Sequence, residues 1–487
     1  MSFKFVFLWT DLAMWAMFVS FAIYGWVVSR NPNSRATWLK VLRDPAALCA
    51  GVVMLLFTLV TALDSVHFRR ALPQETGSTS AASSQVLYDT RTESALDLVL
   101  ARQIAMTESS YSAPLAYMSL TQETHMVNGV ATNEYVRLKH GGSHLQDPAV
   151  QWAGDVTQRA VKGALLGLLL TAGFVFAVAF AMRAAHGGLV QALKDIASDR
   201  THYPLRAVLI TLAVVFSLCG GIACLMDYYH VFGTDQTGRD VLRSTLKSVR
   251  TAFVIGSLAT VATLPVALVL GVLAGYYKGW VDEAIQYLYT TLSSVPNVLL
   301  IAACVLMVQV FLDKNPDMFE TGTERSDLKT FLLCIILGLT GWATLCRLVR
   351  GETLKLRELD YVQAATAFGV SHWRIMARHI VPNVVHLVLI TLVLNFSDLI
   401  LYEAVLTYVG VGVDPTVSSF GGMINLARTE MSKDTLVWWS FASAFAAMVA
   451  LVLSANLFAD GVRDAFDPRA RNMRPRVLSL KFAGKKA

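Results

Sequence analysis

Charged side chains are scarce in this sequence. Asp, Glu, Lys and Arg together supply 16% of its 487 residues, whereas hydrophobic residues supply 55%. A soluble chain of this length would form two or three domains, and charged residues would make up roughly a quarter of it. The composition therefore excludes an ordinary soluble protein and predicts a membrane protein with many transmembrane helices.

Motifs that carry catalysis or bind metals are also missing. The sequence contains no GxxxxGK[ST] phosphate loop, no HExxH and no GxSxG, and its six cysteines include no CxxC pair. His372 and His379 are seven residues apart and flank an amphipathic stretch, which is typical of surface histidines rather than metal ligands. We therefore predict no catalytic residue, no metal site and no cofactor in this chain, and we do not expect it to be an enzyme.

Stretches free of Asp, Glu, Lys and Arg define the predicted transmembrane helices, except that the eighth is interrupted by Asp398 and Glu403. Each is about long enough to cross a hydrocarbon core of ~30 Å at 1.5 Å per residue. The nine predicted spans are residues 12–28, 45–63, 163–182, 207–226, 251–277, 284–312, 330–346, about 380–408 and 435–459.

The distribution of basic residues predicts the orientation of these spans. Loops 29–44 and 183–206 and the tail after Asp460 are rich in Arg and Lys, whereas loop 313–329 carries five acidic residues. Because basic loops stay in the cytoplasm, the C-terminus is predicted to be cytoplasmic and the N-terminus to be outside. The net charge of +6 is explained by these loops and does not indicate nucleic acid binding.

The segment of about 64–162 is predicted to lie outside the membrane and is too long for a turn. Its stretch PQETGSTSAASSQ is rich in Ser and Thr, whereas the following TESALDLVLARQIAMT has apolar residues at helical spacing. Two interpretations stay open for this insert: a small helical subdomain or a poorly ordered insertion.

A short, basic and amphipathic stretch, YVQAATAFGVSHWRIMARHIVPN at residues 361–383, interrupts the apolar runs near the C-terminal third. Asp360 is predicted to cap a first helix, Gly369 to end it in the left-handed conformation, and Ser371 to cap a second helix. Pro382 marks the entry to the next span. The pattern predicts two short cytoplasmic helices that meet at Gly369, and a hairpin lying on lipid headgroups is the alternative.

The pattern Q-A-A-x3-G-x9-H-I-V-P in this stretch resembles the E-A-A-x3-G-x9-I-x-L-P motif of permease subunits of bacterial ATP-driven (ABC) importers. Gln363 stands at the usual glutamate and His379 at the usual isoleucine. The resemblance implies that the segment forms coupling helices that dock into a groove on a separate ATPase subunit. The implied coupling residues are Gln363, Ala364, Ala365, Gly369, Ser371, Arg374 and Pro382.

Three further stretches resemble the C-type permease of dipeptide and oligopeptide importers. FGTDQTGRDVL is similar to a G-T-D-x-x-G-R-D-V-L signature, GVLAGYYKGWVDE to a G-x-x-A-G-Y-Y-G-G-W-x-D loop, and ANLFADGVRDAFDPR to a C-terminal motif. The signature residues, with an expected structural or gating role, are Gly233, Thr234, Asp235, Gly238, Arg239 and Asp240. We expect Asp235, Arg239 and Asp240 to form a capped, salt-bridged turn, and direct substrate contact is the alternative.

Glu403 and Asp398 are the candidate pathway residues, because a charge inside a span usually faces a cavity or a partner. The stretch ILYEAVLTYVGVGV resembles the family's I-L-x-E-A-S-L-S-F-L-G-L-G and places Glu403 at the family's glutamate. The two side chains point about 140° apart on a helix, so at most one is expected to line the pathway. For Glu403, the alternative role is to hold two helices together.

These resemblances predict an all-α integral membrane protein with about nine transmembrane helices, the last six forming the core of a type I ABC importer permease. Residues 1–204 are expected to form an N-terminal extension with three transmembrane helices and the insert of about 64–162. Residues 205–470 are expected to form the permease core, with a coupling segment at about 350–383, and residues 471–487 a basic cytoplasmic tail.

The predicted function is that of the transmembrane permease subunit of an ATP-driven importer in the bacterial inner membrane, with di- and oligopeptides as the expected cargo. The implied partners are a second homologous permease, two ATPase subunits that carry ATP and Mg, an extracytoplasmic substrate-binding protein and membrane lipid. The alternatives are a permease for a non-peptide cargo such as haem or a nickel chelate, an ion-driven secondary transporter, and a membrane enzyme or sensor.

Overall fold

The computed structural model describes residues 3–71, 88–127, 130–184, 188–319, 321–433 and 435–466. The serine-rich stretch 73–85 and the basic tail 471–487 therefore lie outside the described residues.

Long helices dominate the described part of the chain. Nine of its helices are long and apolar enough to cross a membrane, which confirms the predicted number. These nine are α1 (Trp9–Arg30), α3 (Pro45–Asp64), α6 (Pro148–Met182), α8 (Leu205–Leu225), α9 (Val241–Tyr277), α11 (Asn297–Lys314), α12 (Gly322–Arg357), α15 (Val381–Tyr408) and α17 (Trp439–Phe466).

Shorter elements connect the long helices. The short α-helices are α2 (Pro32–Val41), α4 (Ala95–Val99), α5 (Ala101–Ala105), α7 (Leu189–Ala197), α10 (Gly279–Ser294), α13 (Asp360–Ala367), α14 (His372–Ile375) and α16 (Phe420–Glu430). A 3-10 turn at Pro316–Met318 and a π-helical turn at Met376–Ile380 complete the helical elements. The strands are β1 (Phe3–Val6), β2 (His67–Arg70), β3 (Glu93–Ser94), β4 (Met118–Val127) and β5 (Val130–Arg137).

The sixth predicted span, 284–312, is wrong as one continuous helix. The chain forms α10 and then α11, with an extended residue, Val295, and Pro296 between them. Proline lacks the N–H that an uninterrupted helix needs, and the residue before it avoids the helical region. Only α11 is long and apolar enough to cross a membrane, whereas α10 is a shorter helix beside it.

Helices α9 and α12 form the centre of the fold and run parallel to each other. Half of the most apolar window of each is buried, more than in any other candidate span of the described residues. Glycines permit the close approach: a Cβ on Gly271 would lie 2.8 Å from the side chain of Val349, and one on Gly275 would lie 2.6 Å from that of Thr353. Helix α15 packs on both α9 and α12, and α17 packs on α9 and α15.

The N-terminal extension is attached to the outer surface of this core. Strand β1 pairs antiparallel with β2, with Phe3 opposite Arg70, and β2 pairs with β3. The chain start and the insert are therefore at the same end of the helix bundle. Helix α1 packs on α12 and α9, and α3 packs on α17 and α9.

Helices α6 and α8 form a closely packed pair. A Cβ on Gly167 would overlap the carbonyl oxygen of Phe216, and a Cβ on Gly163 would overlap that of Gly220. The permease core was predicted to begin at residue 205, with helix α8. The main contact of α8 is nevertheless with α6 of the extension, and its contact with α3 is smaller. The predicted boundary at residue 204 thus falls between two helices that pack together.

The insert is a mixed subdomain rather than a helical one. The stretch predicted to be helical forms α4 and α5, and Ser94 and Asp97 close a capping box at the start of α4. Strands β4 and β5, which were not predicted, form an antiparallel hairpin with Met118 opposite Arg137. The part of the insert that the structure describes is therefore folded, with both helices and strands.

Candidate coupling segment, signature loop and polar cavity

The predicted coupling segment forms one short helix that ends at a glycine. Gly369 has a φ of +73°. Its N–H donates to the carbonyl of Thr366 at 3.0 Å, and the N–H of Val370 donates to that of Ala365 at 3.1 Å. These are the two bonds of a Schellman ending, which favours glycine at this position. The expectation that Gly369 ends the helix is confirmed.

The capping residues differ from the prediction. Leu359, not Asp360, occupies the N-cap of α13, and the carboxylate of Asp360 lies in the first turn, where the helix dipole favours a negative charge. Ser371 occupies the N-cap of α14, but its side chain makes no capping hydrogen bond.

The second short helix of the prediction is continuous with the next span. Helix α14 passes through the π-helical turn Met376–Ile380 into α15, and Pro382 lies in the first turn of α15. Since proline has no N–H to donate and its ring crowds the carbonyl four residues back, the widened turn relieves that conflict. The side chain of Asn383 donates to the carbonyl of His379 at 2.6 Å in the same turn.

The coupling segment combines a buried anchor with an exposed surface. Val362, Ile375 and Ile380 are at most 1% exposed and pack into the core at the end of α9 and α12. Phe368 is 86% exposed and Trp373 is 68% exposed. The predicted coupling residues other than Ala365, which is half-buried, are exposed: Gln363, Ala364, Gly369, Ser371, Arg374 and Pro382.

Polar contacts join the coupling segment to the end of α9. The hydroxyl of Tyr276 lies 2.8 Å from Nδ1 of His372, and Arg357 donates to the carbonyl of Tyr276 at 2.6 Å. Lys278 lies 2.8 Å from a carboxylate oxygen of Glu358, and this hydrogen bond lowers the pKa of Glu358. The loop resembling G-x-x-A-G-Y-Y-G-G-W-x-D thus holds the coupling segment, and a groove of about 620 Å³ lies between them.

The signature loop at the opposite end of the bundle is docked into the insert. Thr234 Oγ1 donates to the carbonyl of Ser110 at 2.9 Å and accepts from the N–H of Ser112 at 2.6 Å. Gly233 and Gly238 have φ values of +73° and +72°, and a Cβ on Gly238 would overlap the carbonyl of Glu108. Glycine is therefore favoured at these positions because it adopts the left-handed backbone of the turn and leaves room for the backbone of the insert.

The two aspartates of the signature accept backbone hydrogen bonds in the turn and at the start of the helix that follows it. Asp235 Oδ1 accepts from the N–H of Thr237 at 2.8 Å and of Arg239 at 3.0 Å. Asp240 is the N-cap of α9, and its side chain accepts from the N–H of Leu242 at 2.8 Å. The expected cap is thus present at Asp240.

The ion pair of the signature involves His230 rather than Arg239. The exposed side chain of Arg239 has no carboxylate of the described residues within ion-pair distance. Nδ1 of His230 lies 2.9 Å from Asp240, and its Nε2 lies 3.5 Å from Glu108 of the insert. Neither His230 nor Glu108 could be singled out from the sequence, because neither belongs to a recognised motif and Glu108 lies in a part of the chain without a resemblance.

Electrostatics fix the charge states of this buried group. Burial opposes a charge on His230, but hydrogen bonds to Asp240 and Glu108 outweigh it and raise the pKa of His230 to about 9. Burial also opposes ionisation of Glu108, but hydrogen bonds from His230 and from the backbone N–H groups of residues 139–141 lower its pKa to about 2. At neutral pH the group is therefore an imidazolium between two carboxylates.

A polar cavity of about 510 Å³ lies among α9, α10, α11, α12 and α15. It is bordered by the break between α10 and α11 at Ser293–Asn297, by Thr340 and Thr344 of α12, and by Asp398 of α15. The broken sixth span thus creates a polar recess at membrane depth, where irregular backbone is tolerated only beside protein or water.

Glu403 and Asp398 have opposite environments. Glu403 is 0% exposed and accepts a hydrogen bond from Thr407 Oγ1 at 2.8 Å, and that hydroxyl also accepts from the N–H of Val413 at 3.2 Å. Asp398 is exposed and lines the cavity. The structure therefore places Asp398 at the recess and Glu403 in the packing of the C-terminal part of α15.

Comparisons with known proteins agree with this arrangement. The family model described as binding-protein-dependent transport system inner membrane component matches residues 267–472. The oligopeptide transport system permease protein OppC of Mycobacterium tuberculosis is 33% identical over 245 residues, which are 50% of this chain and 78% of that protein. The chain belongs to this family of transport permeases.

Two further curated relatives have similar coverage. The dipeptide transport system permease protein DppC of Lactococcus lactis is 32% identical over 50% of this chain and 64% of that protein. The glutathione transport system permease protein GsiD of Pectobacterium atrosepticum is 29% identical over 50% of this chain and 74% of that protein. Among solved structures, a chain of the inward-facing methionine ABC transporter MetNI shares 15% identity, covers 47% of this chain and 96% of that chain, and has a TM-score of 0.34.

Family membership confirms the predicted multi-pass permease of the inner membrane. The matched residues 267–472 include the coupling segment and the polar cavity. They exclude the signature loop and the whole extension, so the contacts of His230 and Glu108 lie in a part of the chain that the family model does not describe.

Proposed function

We propose that this permease imports di- and oligopeptides and forms one half of the pathway together with a second, homologous permease. A peptide cargo is supported by its relatives, which are named as permeases for oligopeptides, dipeptides and glutathione. A second permease would complete the pathway beside the polar cavity.

The observation that carries the proposal is the exposed coupling segment. An apolar surface of Phe368 and Trp373 on a rigid, internally capped turn suits insertion into a groove on an ATPase, because aromatic anchors in pockets supply most of the binding energy of an interface. Two such ATPases, one per permease, would bind ATP and Mg and transmit their movement through α13 to α12 and α15. The chain itself would perform no chemistry.

The proposed orientation places the coupling segment and the C-terminus in the cytoplasm and the N-terminus outside. The pairing of β1 with β2 is consistent with it, since the chain start and the insert share one end of the bundle. An extracytoplasmic substrate-binding protein would deliver cargo at that end. A reporter that is active only in the cytoplasm, fused after residue 466, is expected to be active.

Uptake of labelled tripeptides by cells with and without this chain tests the proposal directly. We expect deletion to abolish uptake and Phe368→Ala/Trp373→Ala to reduce both uptake and co-purification of the ATPase. Trp26→Ala, which removes a 56% exposed aromatic side chain from α1, is the matched control and should leave both unchanged. Normal uptake without the chain, or unchanged co-purification in the double variant, would refute the proposal.

A further inference from the structure

Asp398 is a carboxylate near the middle of a membrane-spanning helix. The apolar window of α15 runs from Leu387 to Tyr408, so Asp398 lies about 16 Å from its start at 1.5 Å per residue. A hydrocarbon core is roughly 30 Å thick, which places this residue near mid-depth. A charge at that depth is costly unless it faces water or a partner, and it is therefore usually functional.

The surroundings of Asp398 are polar and organised on two facing helices. Asn395 and Tyr402 are three residues before and four residues after Asp398, so the three side chains share one face of α15. Thr340 and Thr344 are four residues apart on α12 and border the same cavity of about 510 Å³. These hydroxyl and amide groups line the same space as the carboxylate, together with apolar side chains such as Leu337 and Leu399. The space is large enough for a charged group and its water.

The described residues offer no cation for this carboxylate. No Lys, Arg or His of the described part of the chain forms an ion pair with Asp398. The nearby Arg347, one turn after Thr344 on α12, donates to Ser293 Oγ at 3.1 Å and lies 5.0 Å from the ring centroid of Tyr289. It is therefore engaged at the rim of the cavity rather than at Asp398.

Glu403 provides the contrast within the same helix. It is fully buried and hydrogen-bonded to Thr407, so it is unavailable to anything that moves through the recess. Of the two carboxylates in α15, Asp398 alone can meet a solute.

We propose that Asp398 is the charge-selecting group of the pathway and receives the ammonium group of a lysine side chain of the cargo. The proposal rests on the proposed function, since it assumes that peptides pass this recess. An ammonium group has three N–H donors, of which the carboxylate accepts one or two, while Asn395 and Tyr402 can accept the rest. The pathway would therefore favour cationic over anionic peptides.

Uptake of trilysine, trialanine and triglutamate by cells that carry the complete transporter tests this selection. Each result is the ratio of variant to wild-type uptake for one peptide, so that the preference of the binding protein cancels. For Asp398→Asn we expect trilysine uptake to fall about tenfold, trialanine uptake to fall less and triglutamate uptake to stay within about twofold. Asp398→Glu should keep the wild-type order, and Asp398→Lys should favour triglutamate over trilysine.

Asp460→Asn is the matched control, because Asp460 is an exposed carboxylate of α17 that does not line the cavity. It should leave all three ratios near one.

Equal ratios for the three peptides in Asp398→Asn would overturn the charge selection but leave peptide import intact. Loss of co-purification of the second permease in that variant would also overturn it, since the carboxylate would then pair with a cation of the other subunit. Failure of wild-type cells to take up any of the three peptides above the level of deleted cells would overturn both proposals.

Discussion

The imidazole of His230 connects two parts of the chain that are far apart in sequence. It lies between Asp240, which caps α9, and Glu108, whose carboxylate accepts from the N–H groups of His140 and Gly141 at 2.8 and 3.0 Å. The charge on this one ring therefore fixes the insert to the start of a central helix.

We expect the stability that His230 provides to depend on pH. Its pKa is raised from 6.5 to about 9 in the folded protein, so its contribution is fully present below about pH 6.5 and is lost as pH rises through 9. This difference between the two pKa values of His230 corresponds to roughly 3 kcal/mol in the free energy of unfolding. In thermal unfolding of the purified chain between pH 6 and 10, His230→Gln should be less stable than the wild type at low pH and similar to it at high pH.

His202→Gln is the control for this experiment, because His202 is an exposed histidine in the connection between α7 and α8. It should follow the wild-type curve at every pH. A constant difference between His230→Gln and the wild type would mean that His230 contributes by packing and not by charge.

Gly369 acts through its backbone conformation alone. A Cβ at this position would meet no atom within 4 Å, but a φ of +73° disfavours β-branched residues by roughly 1–2 kcal/mol. We expect Gly369→Val to keep the permease in the membrane but to unwind the turn between α13 and α14, which would lower ATPase co-purification and transport. Gly369→Asn, which tolerates the left-handed region, should retain most of both, and equal loss in the two variants would argue against the conformational role.

The helices of the membrane region could be predicted from the sequence far better than their ends. Runs with few or no charges indicated each of the nine membrane-spanning helices of the described residues, because a charge inside hydrocarbon is costly. The same criterion began the fifth span at residue 251, whereas α9 begins at Val241. Its first three turns carry Arg243, Lys247 and Arg250. Most of the carboxylates that make these cations acceptable come from the folded extension, and Asp327 of α12 adds another near Arg250.

Local signals explain the two elements that the prediction missed. Pro296 was visible inside the sixth span, but the absence of charge concealed the break that it causes. In the insert, Asn128–Gly129 between two stretches rich in Val and Thr is a strong hairpin signal, although these two residues themselves lie outside the described ones. The polar cavity could not be predicted, because its walls come from five helices that only the tertiary fold brings together.

The α6–α8 pair depends on two glycines. A leucine at Gly167 would force the helices apart, since even a Cβ there overlaps the backbone of α8. Overpacking of this kind costs about 1–3 kcal/mol or more, so we expect Gly167→Leu to lower the thermal unfolding midpoint of the purified chain. Gly173→Leu is the matched control on the same helix, because a Cβ at Gly173 meets no atom within 4 Å. Equal midpoints for both variants would refute the close packing.

A row of cations on α9 joins the extension to the permease core. Arg243, Lys247 and Arg250 share one face, because they are spaced by four and three residues. Asp97 of the insert lies 2.7 Å from Lys247 and 3.4 Å from Arg243, and Asp11 of α1 lies 2.6 Å from Arg250. Carboxylates of the extension thus neutralise the outer turns of a core helix.

The group around Arg250 involves four elements. Asp11 also lies 2.6 Å from Nδ1 of His67 on β2, and Asp327 of α12 accepts from the N–H of Thr10 at 3.1 Å while it lies 3.9 Å from Arg250. The extension and the core are therefore joined by a buried network at their outer end. The prediction could not include this network, because it placed a domain boundary at residue 204 and treated the extension and the core as separate parts.

We expect Arg250→Met to destabilise the whole molecule. The substitution keeps the apolar volume but leaves Asp11 and Asp327 without their cation, and removing one partner of a buried ion pair costs about 3–5 kcal/mol. The triple variant Arg250→Met/Asp11→Asn/Asp327→Asn should recover most of the loss, because no uncompensated charge then remains buried.

Arg239→Met, which alters an exposed arginine at the same end, should change the free energy of unfolding by at most about 0.5 kcal/mol. Thermal unfolding of the four purified proteins compares them, and a triple variant no more stable than Arg250→Met would mean that the network does not hold the extension on the core.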